Sequence, residues 1–237
     1  MRKKAGIFII IILAIIMVAS FFIFTDKKVQ APGYDQKIFS LQDDADGIVW
    51  TEDVNVDETS RAEFNRRIDD LRGKIETETD TQNLMTYYYN ITLYYKYLGD
   101  YRAAYDYNLK TLEIDPSFRR TWLNFGDVLL SMKAYKSAET AYKKSIELFN
   151  YDDLGWKKLV ALYEKTQPDN HDLIKNTYEE ALAILRNNSE DETPLLQKYA
   201  VWLANTGQKD TAKKIYEELM EKDASNALIY QKSKNNL

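Results

Sequence analysis

Apolar positions recur along this chain at a fixed step of 34 residues. Three series share this step, namely Tyr88, Trp122 and Trp156, then Ile91, Phe125 and Leu159, and then Tyr95, Leu129 and Tyr163. A fixed period of this length is the signature of a helix-turn-helix repeat array, in which each unit buries its apolar face by stacking on its neighbours. The pattern therefore predicts stacked pairs of helices.

Within each period, apolar residues follow the three- and four-residue spacing of amphipathic helices. The predicted helix pairs are 83–98 with 101–114, 118–132 with 135–149, 154–165 with 171–186, and 194–206 with 209–222. A packing helix over 60–78 is expected to precede them, beginning at a capping box of Ser60 and Glu63. Thr193 is the expected N-cap of its helix, and 225–237 is expected to form a capping helix and tail.

The second repeat carries a recognisable motif. It reads W-x2-F-G-x2-L from Trp122 to Leu129, followed by A-x3-Y from Ala138 to Tyr142. This resembles the tetratricopeptide repeat (TPR) family, whose pattern is W-x2-L-G-x2-Y and then A-x3-F. Weaker versions extend the resemblance over 83–224. It implies an all-α fold, a right-handed superhelical array of about four TPR helix-turn-helix repeats.

An uninterrupted apolar run over 5–24 precedes the repeats. Twenty helical residues span roughly 30 Å, the thickness of a bilayer core, so we expect a single-pass transmembrane helix. Three basic residues within 1–4 precede this run and two lysines follow it. The positive-inside rule then places the N-terminus in the cytoplasm and the repeat domain outside it. A cleaved secretory signal is the alternative, although its apolar core is usually about 7 to 15 residues long.

The net charge of −5 is unevenly distributed. Residues 26–60 contain nine acids and three lysines, whereas 61–237 carry a net charge of only −2. The acidity therefore belongs to a predicted solvated linker over 25–59, and no nucleic-acid partner is expected because the array has no basic face. Inside the linker, Ile48-Val49-Trp50 could pair as a strand or dock on the helices. Asp44-Ala45-Asp46-Gly47 compares poorly with a calcium loop.

Nine tyrosines fall within 87–107. Most of them occupy core positions of the repeat, and Tyr87 and Tyr94 are expected to receive the packing helix. The TPR resemblance implies that Tyr89 and Tyr97 lie on the face that lines the inner groove of such arrays. An amphipathic ring on that face suits the binding of a peptide, because it contributes contact area at a low cost in rotamer entropy.

The same register places a mixture of apolar and charged residues on the predicted groove. They are Leu93, Lys96, Arg120, Leu123, Asp127, Leu130, Lys157, Ala161, Glu164, Gln197 and Val201. Such a surface suggests an extended or helical protein segment as the partner. We therefore predict a membrane-anchored scaffold or assembly factor with a layout typical of bacterial proteins. The alternative is a structural accessory subunit of an envelope enzyme or secretion complex, without a selective groove.

Residues that carry chemistry are sparse in this sequence. It has no cysteine and one histidine, His171, which begins a predicted helix. It has no glycine-rich phosphate loop and no metal-ligand spacing. We therefore expect no catalytic site, no metal, no cofactor and no small-molecule substrate.

Overall fold

The computed structural model describes residues 38–237, and this part of the chain contains ten α helices. The helices are α1 (Glu58–Ile75), α2 (Thr81–Leu98), α3 (Tyr101–Ile114), α4 (Arg119–Ser131), α5 (Tyr135–Leu148), α6 (Asp153–Thr166), α7 (His171–Asn187), α8 (Thr193–Asn205), α9 (Lys209–Lys222) and α10 (Ala227–Asn235). None of them is long and apolar enough to cross a bilayer. The predicted transmembrane helix over 5–24 and the basic residues of 1–4 lie outside the described residues.

Helices α2 to α9 form four successive pairs, each joined by a short turn. The predicted pairs are confirmed, and every helix boundary lies within two residues of the predicted one. The repeat is visible at the level of single atoms. The indole Nε1 of Trp122 donates to the carbonyl of Pro116, and that of Trp156 donates to the carbonyl of Asn150, each at 2.7 Å. Donor and acceptor both advance by 34 residues, so consecutive pairs share one backbone geometry.

The two helices of a pair cross closely where one of them carries a small residue. On α4 this residue is Gly126, which faces the ring of Tyr142 from α5. A Cβ atom at this position would lie 2.3 Å from Cε1 of the tyrosine. Ala104 and Ala138 are fully buried on the second helices. Small side chains at a crossing let the helix axes approach, so large neighbours can interlock around them.

Residues 38–57, which we call the N-terminal segment, are packed against the array. The Phe39 ring lies 4.8 Å from that of Phe125. The amide of Val49 donates to the Met132 carbonyl at 2.8 Å, so the apolar island at 48–50 docks on the helices. The expected solvated linker over 25–59 is therefore wrong for residues 38–57. An isolated phenylalanine has no sequence period, and its partner lies more than eighty residues away.

Further contacts attach the N-terminal segment to α3. The Trp50 carbonyl accepts from the amide of Arg102 at 2.9 Å, and Tyr101 donates from Oη to Glu52 at 2.7 Å. Burial, together with this carboxylate, raises the pKa of Tyr101 to about 12. Gly99 ends α2 with φ +79°, and a Cβ there would lie 2.1 Å from the Glu52 carbonyl oxygen. The segment thus follows a path that only glycine permits at this turn.

The capping box predicted for the packing helix is wrong. Helix α1 begins at Glu58, and its N-cap is Asp57, whose carboxylate accepts from the amide of Ser60 at 2.9 Å. Ser60 is therefore the donor and lies inside the helix. Glu63 turns outward and pairs with Arg66 and Arg67 at 2.9 and 2.6 Å. An ionised carboxylate is a better acceptor than a hydroxyl, so the helix starts at the aspartate.

Helix α1 packs on the first pair through aromatic contacts. The ring of Phe64 stacks on Tyr94 at 5.6 Å and on Tyr97 at 5.9 Å. The expected role of Tyr94 is confirmed. Tyr87 donates from Oη to Glu78 at 3.4 Å, in the turn that directly follows α1. Phe64 of α1 therefore lies over the C-terminal part of α2.

The fourth pair is attached through an ionic cluster. Glu192 is buried and lies 3.1 Å from Arg186 on α7 and 2.9 Å from Lys222 on α9. Helix α8 begins at Thr193, so the N-cap position belongs to Glu192 and the prediction for Thr193 is wrong by one residue. The Glu192 side chain is engaged by the two cations and leaves the helix without a side-chain cap.

Candidate protein-binding surface

The first helices of the four pairs, α2, α4, α6 and α8, carry the residues predicted to line a groove. We call their exposed surface the first-helix face. Helix α2 contacts α4, and α6 contacts α8, so side chains from consecutive repeats meet across this face. The repeat spacing places equivalent positions of the four helices in register along it.

Asp127 on α4 is the centre of a polar cluster on this face. Its carboxylate accepts from the Tyr142 hydroxyl at 2.8 Å and from Nζ of Lys158 at 2.9 Å. Nζ of Lys96 lies 3.8 Å away. Burial, with the negative charge of Asp127, raises the pKa of the Tyr142 hydroxyl. Burial lowers the pKa of Lys96. The negative charge of Asp127 partly offsets this lowering, and the positive charge of Lys158 adds to it.

The aromatic residues predicted to bind a partner lie beside this cluster. The Tyr97 side chain is 52% exposed, although one side of its ring stacks on Phe64. Nζ of Lys96 lies 5.5 Å from the centre of the same ring. Burial raises the pKa of Tyr89. The charge of Arg120 lowers this pKa, and the charge of Asp127 raises it. This end of the face therefore presents one open aromatic ring flanked by charges of both signs.

The other predicted groove residues differ in how much surface they offer. Leu123 is only 6% exposed and belongs to the core, whereas Arg120 is exposed. Leu93 and Leu130 are half-buried. Lys157 is paired with Asp153 at 2.7 Å within its own helix. The assignment of these residues to a binding groove stays a prediction, and Leu123 has the least surface with which to take part.

A cavity of about 480 Å³ opens between α6 and α8. Glu164, Gln197 and Val201 line it, and Val201 is 46% exposed. Its wall includes Tyr178, whose hydroxyl donates to Glu164 at 3.0 Å. Burial, with the charge of Glu164, raises the pKa of Tyr178. The cavity therefore combines an apolar floor with a carboxylate that keeps unused acceptor capacity.

Two members of the Asp127 cluster were missing from the sequence prediction. The register assigned Lys157 to the groove, but its neighbour Lys158 reaches Asp127 instead. A helical register locates Cβ atoms, whereas the ammonium of lysine ends a flexible four-carbon chain. Tyr142 was assigned to the core, where its ring does lie, but its hydroxyl emerges at Asp127. Tyr178 makes a comparable bond to Glu164 one unit later, but the residue 34 positions after Asp127 is Ala161, so no sequence period connects the two carboxylates.

Residues 38–237 offer little other candidate chemistry. In this range no three His, Cys, Asp or Glu side chains are grouped so that they could hold a metal ion. Residues Ala45–Gly47 form a single 3₁₀ turn, and the neighbouring Asp43 binds the start of α5. His171 is exposed and meets Trp202 edge-on at 5.9 Å. Within residues 38–237, therefore, neither the acidic turn nor His171 belongs to a group of metal-ligating side chains.

Comparison with known proteins agrees with the geometry. The sequence profile of the tetratricopeptide repeat matches residues 120–152, which cover α5 and all of α4 except Arg119. No curated protein matches the sequence. A crystal structure of MamA has a TM-score of 0.53 at 17% identity, covering 73% of this chain and 99% of that one. BtubC (BKLC) from P. vanneervenii has a TM-score of 0.54 at 13% identity, covering 71% of this chain and 74% of that one.

A third similar structure is MamA 41-end from Desulfovibrio magneticus RS-1. Its TM-score is 0.50 at 18% identity, and the match covers 71% of this chain and 95% of that one. At such identities the likeness concerns the path of the backbone and not the residues of a site. The described part of the chain therefore has an all-α helical repeat fold of the tetratricopeptide type, and its second repeat is similar to that family in sequence as well.

Proposed function

We propose that this protein is a membrane-anchored scaffold or assembly factor that binds a segment of another protein on its first-helix face. The observation that carries this proposal is the open cavity between α6 and α8, in which the apolar Val201 lies beside the carboxylate of Glu164. The exposed ring of Tyr97 stands on the same face, toward the N-terminal end of the array. Such a surface suits an extended or helical segment that offers apolar and basic side chains.

The anchoring part of the proposal rests on the apolar run over 5–24 and the basic residues before it. We expect the full chain to remain with membranes after carbonate extraction, and a chain lacking 5–24 to be released. In bacterial spheroplasts, added protease should digest the repeats while the membrane is intact. Protection of the repeats from that protease would contradict the orientation, and carbonate release of the full chain would contradict the anchor.

The binding part is tested by photo-crosslinking of the full chain in native membranes. A photoreactive residue replaces Tyr97 or Val201, and Glu221, an exposed residue of α9, is the control position. We expect both test positions to capture the same protein through one continuous segment identified by mass spectrometry. Adducts formed only at Glu221 would contradict binding on the first-helix face.

Once that segment is known, its affinity can be measured against variants. Tyr97→Ala and Val201→Glu each remove apolar contact area at an exposed position, so folding should be little affected. Since a contact residue that matters costs more than about 1 kcal/mol when truncated, each should weaken binding roughly fivefold or more. Unchanged affinity in both variants would show that the face is not the binding site.

One observation favours the alternative of an accessory subunit. Helix α10 packs through Tyr230, which is buried and donates to Asp223 at 2.8 Å. The adjoining Leu228 and Ile229 are 87% and 58% exposed. An apolar pair at the end of a repeat array can stack on another subunit. A complex that is lost in Leu228→Lys and kept in Val201→Glu would support this second function over the first.

A further inference from the structure

The opposite side of the array, where α3, α5 and α7 are exposed beside the inner faces of α4 and α6, holds an intramolecular example of peptide docking. The N-terminal segment places the ring of Phe39 4.8 Å from Phe125 and 6.1 Å from Trp122, both on α4. Three residues later the amide of Gln42 donates to Oγ of Ser137 on α5 at 2.9 Å. The side-chain carbonyl of Gln42 accepts from the hydroxyl of Thr140 at 3.2 Å. An extended chain with one aromatic anchor thus lies on this repeat.

The same site exists one repeat later, and within residues 38–237 no segment occupies it. Helices α4 and α6 differ by 34 residues at their tryptophans, and α5 and α7 differ by 36 at their first residues. The four positions that contact Phe39 and Gln42 therefore correspond to Trp156, Leu159, Leu173 and Asn176. All four line a cavity of about 430 Å³ between α5 and α7. The cavity at the position equivalent to that of Phe39 can therefore accept an aromatic side chain.

The two sites differ in charge. In the occupied site the carboxylate of Asp43 accepts from the amides of Lys136 and Ser137 at 2.9 Å, and the positive charge of Lys136 acts on it. The residue equivalent to Lys136 on α7 is Asp172. A second lysine, Lys144, is likewise replaced by Glu180, which lines the open cavity. Two positive positions have therefore become negative, and Lys143, the positive side chain in the lining of the open cavity, is paired with Glu139 at 2.6 Å.

The start of α7 also differs in a way that removes the need for an acidic ligand. Asn170 caps α7 itself, because its side chain accepts from the amide of Leu173 at 3.2 Å. At α5 the corresponding cap is absent, and Asp43 supplies it from the N-terminal segment. An incoming carboxylate at α7 would meet Asp172 and find the amide of Leu173 already occupied.

We propose that the cavity between α5 and α7 is a docking site for an extended segment of a partner protein, with an aromatic residue inserted between the helices and a Lys or Arg about four residues later. The spacing is that of Phe39 and Asp43, and the reversed charge follows from Asp172 and Glu180. A second copy of this chain does not fit this description, because its own segment is acidic after Phe39. The site lies on the side away from the first-helix face and adds a second binding surface to the molecule.

Two synthetic peptides test this proposal on the full chain, solubilised in mild detergent. One has the sequence of residues 38–47, IFSLQDDADG, and the other carries lysine in place of Asp43, Asp44 and Asp46. We expect the basic peptide to bind about tenfold more tightly than the acidic one in isothermal titration calorimetry at low salt, since several exposed charge pairs favour it. Higher salt should reduce this difference.

Variants of the protein locate the binding. Asn176→Trp places a large ring over the cavity from an exposed position and should abolish binding of the basic peptide. Replacing both Asp172 and Glu180 with lysine should reverse the preference between the peptides. Glu221→Lys changes the net charge by the same amount per site on an exposed part of α9 and should leave both affinities unchanged. Circular dichroism checks that every variant keeps its helicity.

Three outcomes would overturn the proposal. The first is that neither peptide binds at millimolar concentration. The second is that the basic peptide binds Asn176→Trp as well as the unchanged protein, which would place it elsewhere. The third is that the acidic peptide binds more tightly, which would indicate a second copy of this chain as the occupant.

Discussion

Gly73 and Gly126 both lie inside helices and differ in their surroundings. A Cβ atom on Gly73 of α1 would meet nothing within 4 Å, whereas one on Gly126 would lie 2.3 to 2.9 Å from three ring atoms of Tyr142. The Tyr142 ring cannot move away freely, because its hydroxyl is held by Asp127. Glycine therefore weakens helix α1 at position 73, whereas at position 126 the packing of Tyr142 requires it.

Gly126→Ala should consequently destabilise the protein, and Gly73→Ala should stabilise it. Alanine gains up to about 1 kcal/mol of helix propensity at either site, but at Gly126 an overpacking cost of about 1–3 kcal/mol opposes that gain. We expect a net loss of roughly 1–2 kcal/mol for Gly126→Ala and a gain of about 0.5–1 kcal/mol for Gly73→Ala. Urea denaturation followed by circular dichroism measures both. A stability gain in both variants would show that Tyr142 can repack.

At the scale of elements, the N-terminal segment completes a helix that lacks its own cap. Asp100 caps α3 by accepting from the amide of Ala103 at 2.9 Å. The equivalent position before α5 is Ala134, whose methyl side chain cannot accept a hydrogen bond. Asp43 takes over this role from the segment and binds the amides of Lys136 and Ser137. The segment and the second repeat are therefore coupled through one carboxylate.

Asp43→Ala should weaken this coupling by about 1 kcal/mol, the usual cost of losing an N-cap. The segment should then be cleaved faster within 38–57 in limited proteolysis, with α2 to α9 left intact. Asp44→Ala is the matched control, because Asp44 is exposed and makes no side-chain cap bond to the 3₁₀ turn that it precedes. Equal cleavage rates for the two variants would contradict the role given to Asp43.

The same carboxylate makes the attachment sensitive to acid. Burial alone would raise the pKa of Asp43, but hydrogen bonds from the Ser137 hydroxyl and from the amides of Lys136 and Ser137 hold it below its ordinary value of 3.8. A lowered pKa in the folded state means that the stabilisation is complete above the unfolded value and is lost as the pH falls through the folded one. NMR of the Lys136 and Ser137 amides should therefore show an acid transition below about pH 4 that is absent in Asp43→Asn.

At the scale of the whole molecule, the array is continuous but unequal along its length. The first three pairs follow a nearly constant period, whereas the loop between α7 and α8 is longer and is bridged by the cluster around Glu192. In a repeat array each unit is stabilised only by its neighbours. The fourth pair is therefore held to the third by this cluster together with the stacking of Tyr178 on Tyr199.

Glu192→Gln should loosen the C-terminal end of the array. Breaking a buried pair can cost about 3–5 kcal/mol, but Arg186 and Lys222 are 44% and 41% exposed, so we expect about 1–2 kcal/mol. Hydrogen exchange should accelerate in α8 to α10 and remain unchanged in α2 to α5. Glu217→Gln, which removes an exposed pair with Lys234, should change stability by less than about 0.5 kcal/mol. Uniform acceleration along the array would mean that it unfolds as one unit.

Helix pairing was predictable because its signals are local. The period of Trp122 and Trp156 and the spacing within each helix fall inside short windows of sequence, so the boundaries of the eight paired helices were correct within two residues. The candidate surface was predictable to a lesser degree. The register located the Cα positions of Asp127 and Lys96, but the choice between Lys157 and Lys158 depended on which flexible ammonium reaches across to the next helix.

The sequence by itself determined the all-α repeat architecture, because stacking by a constant period requires only that each unit resemble the next. Tertiary structure alone decided the path of residues 38–57. The contacts of Phe39 with Phe125 and of Asp43 with Ser137 join residues more than eighty positions apart, and no periodic signal connects them. It also decided that the site equivalent to that of Phe39, between α5 and α7, is open within the described part of the chain, because residues 38–237 include one such segment and two places that could receive it.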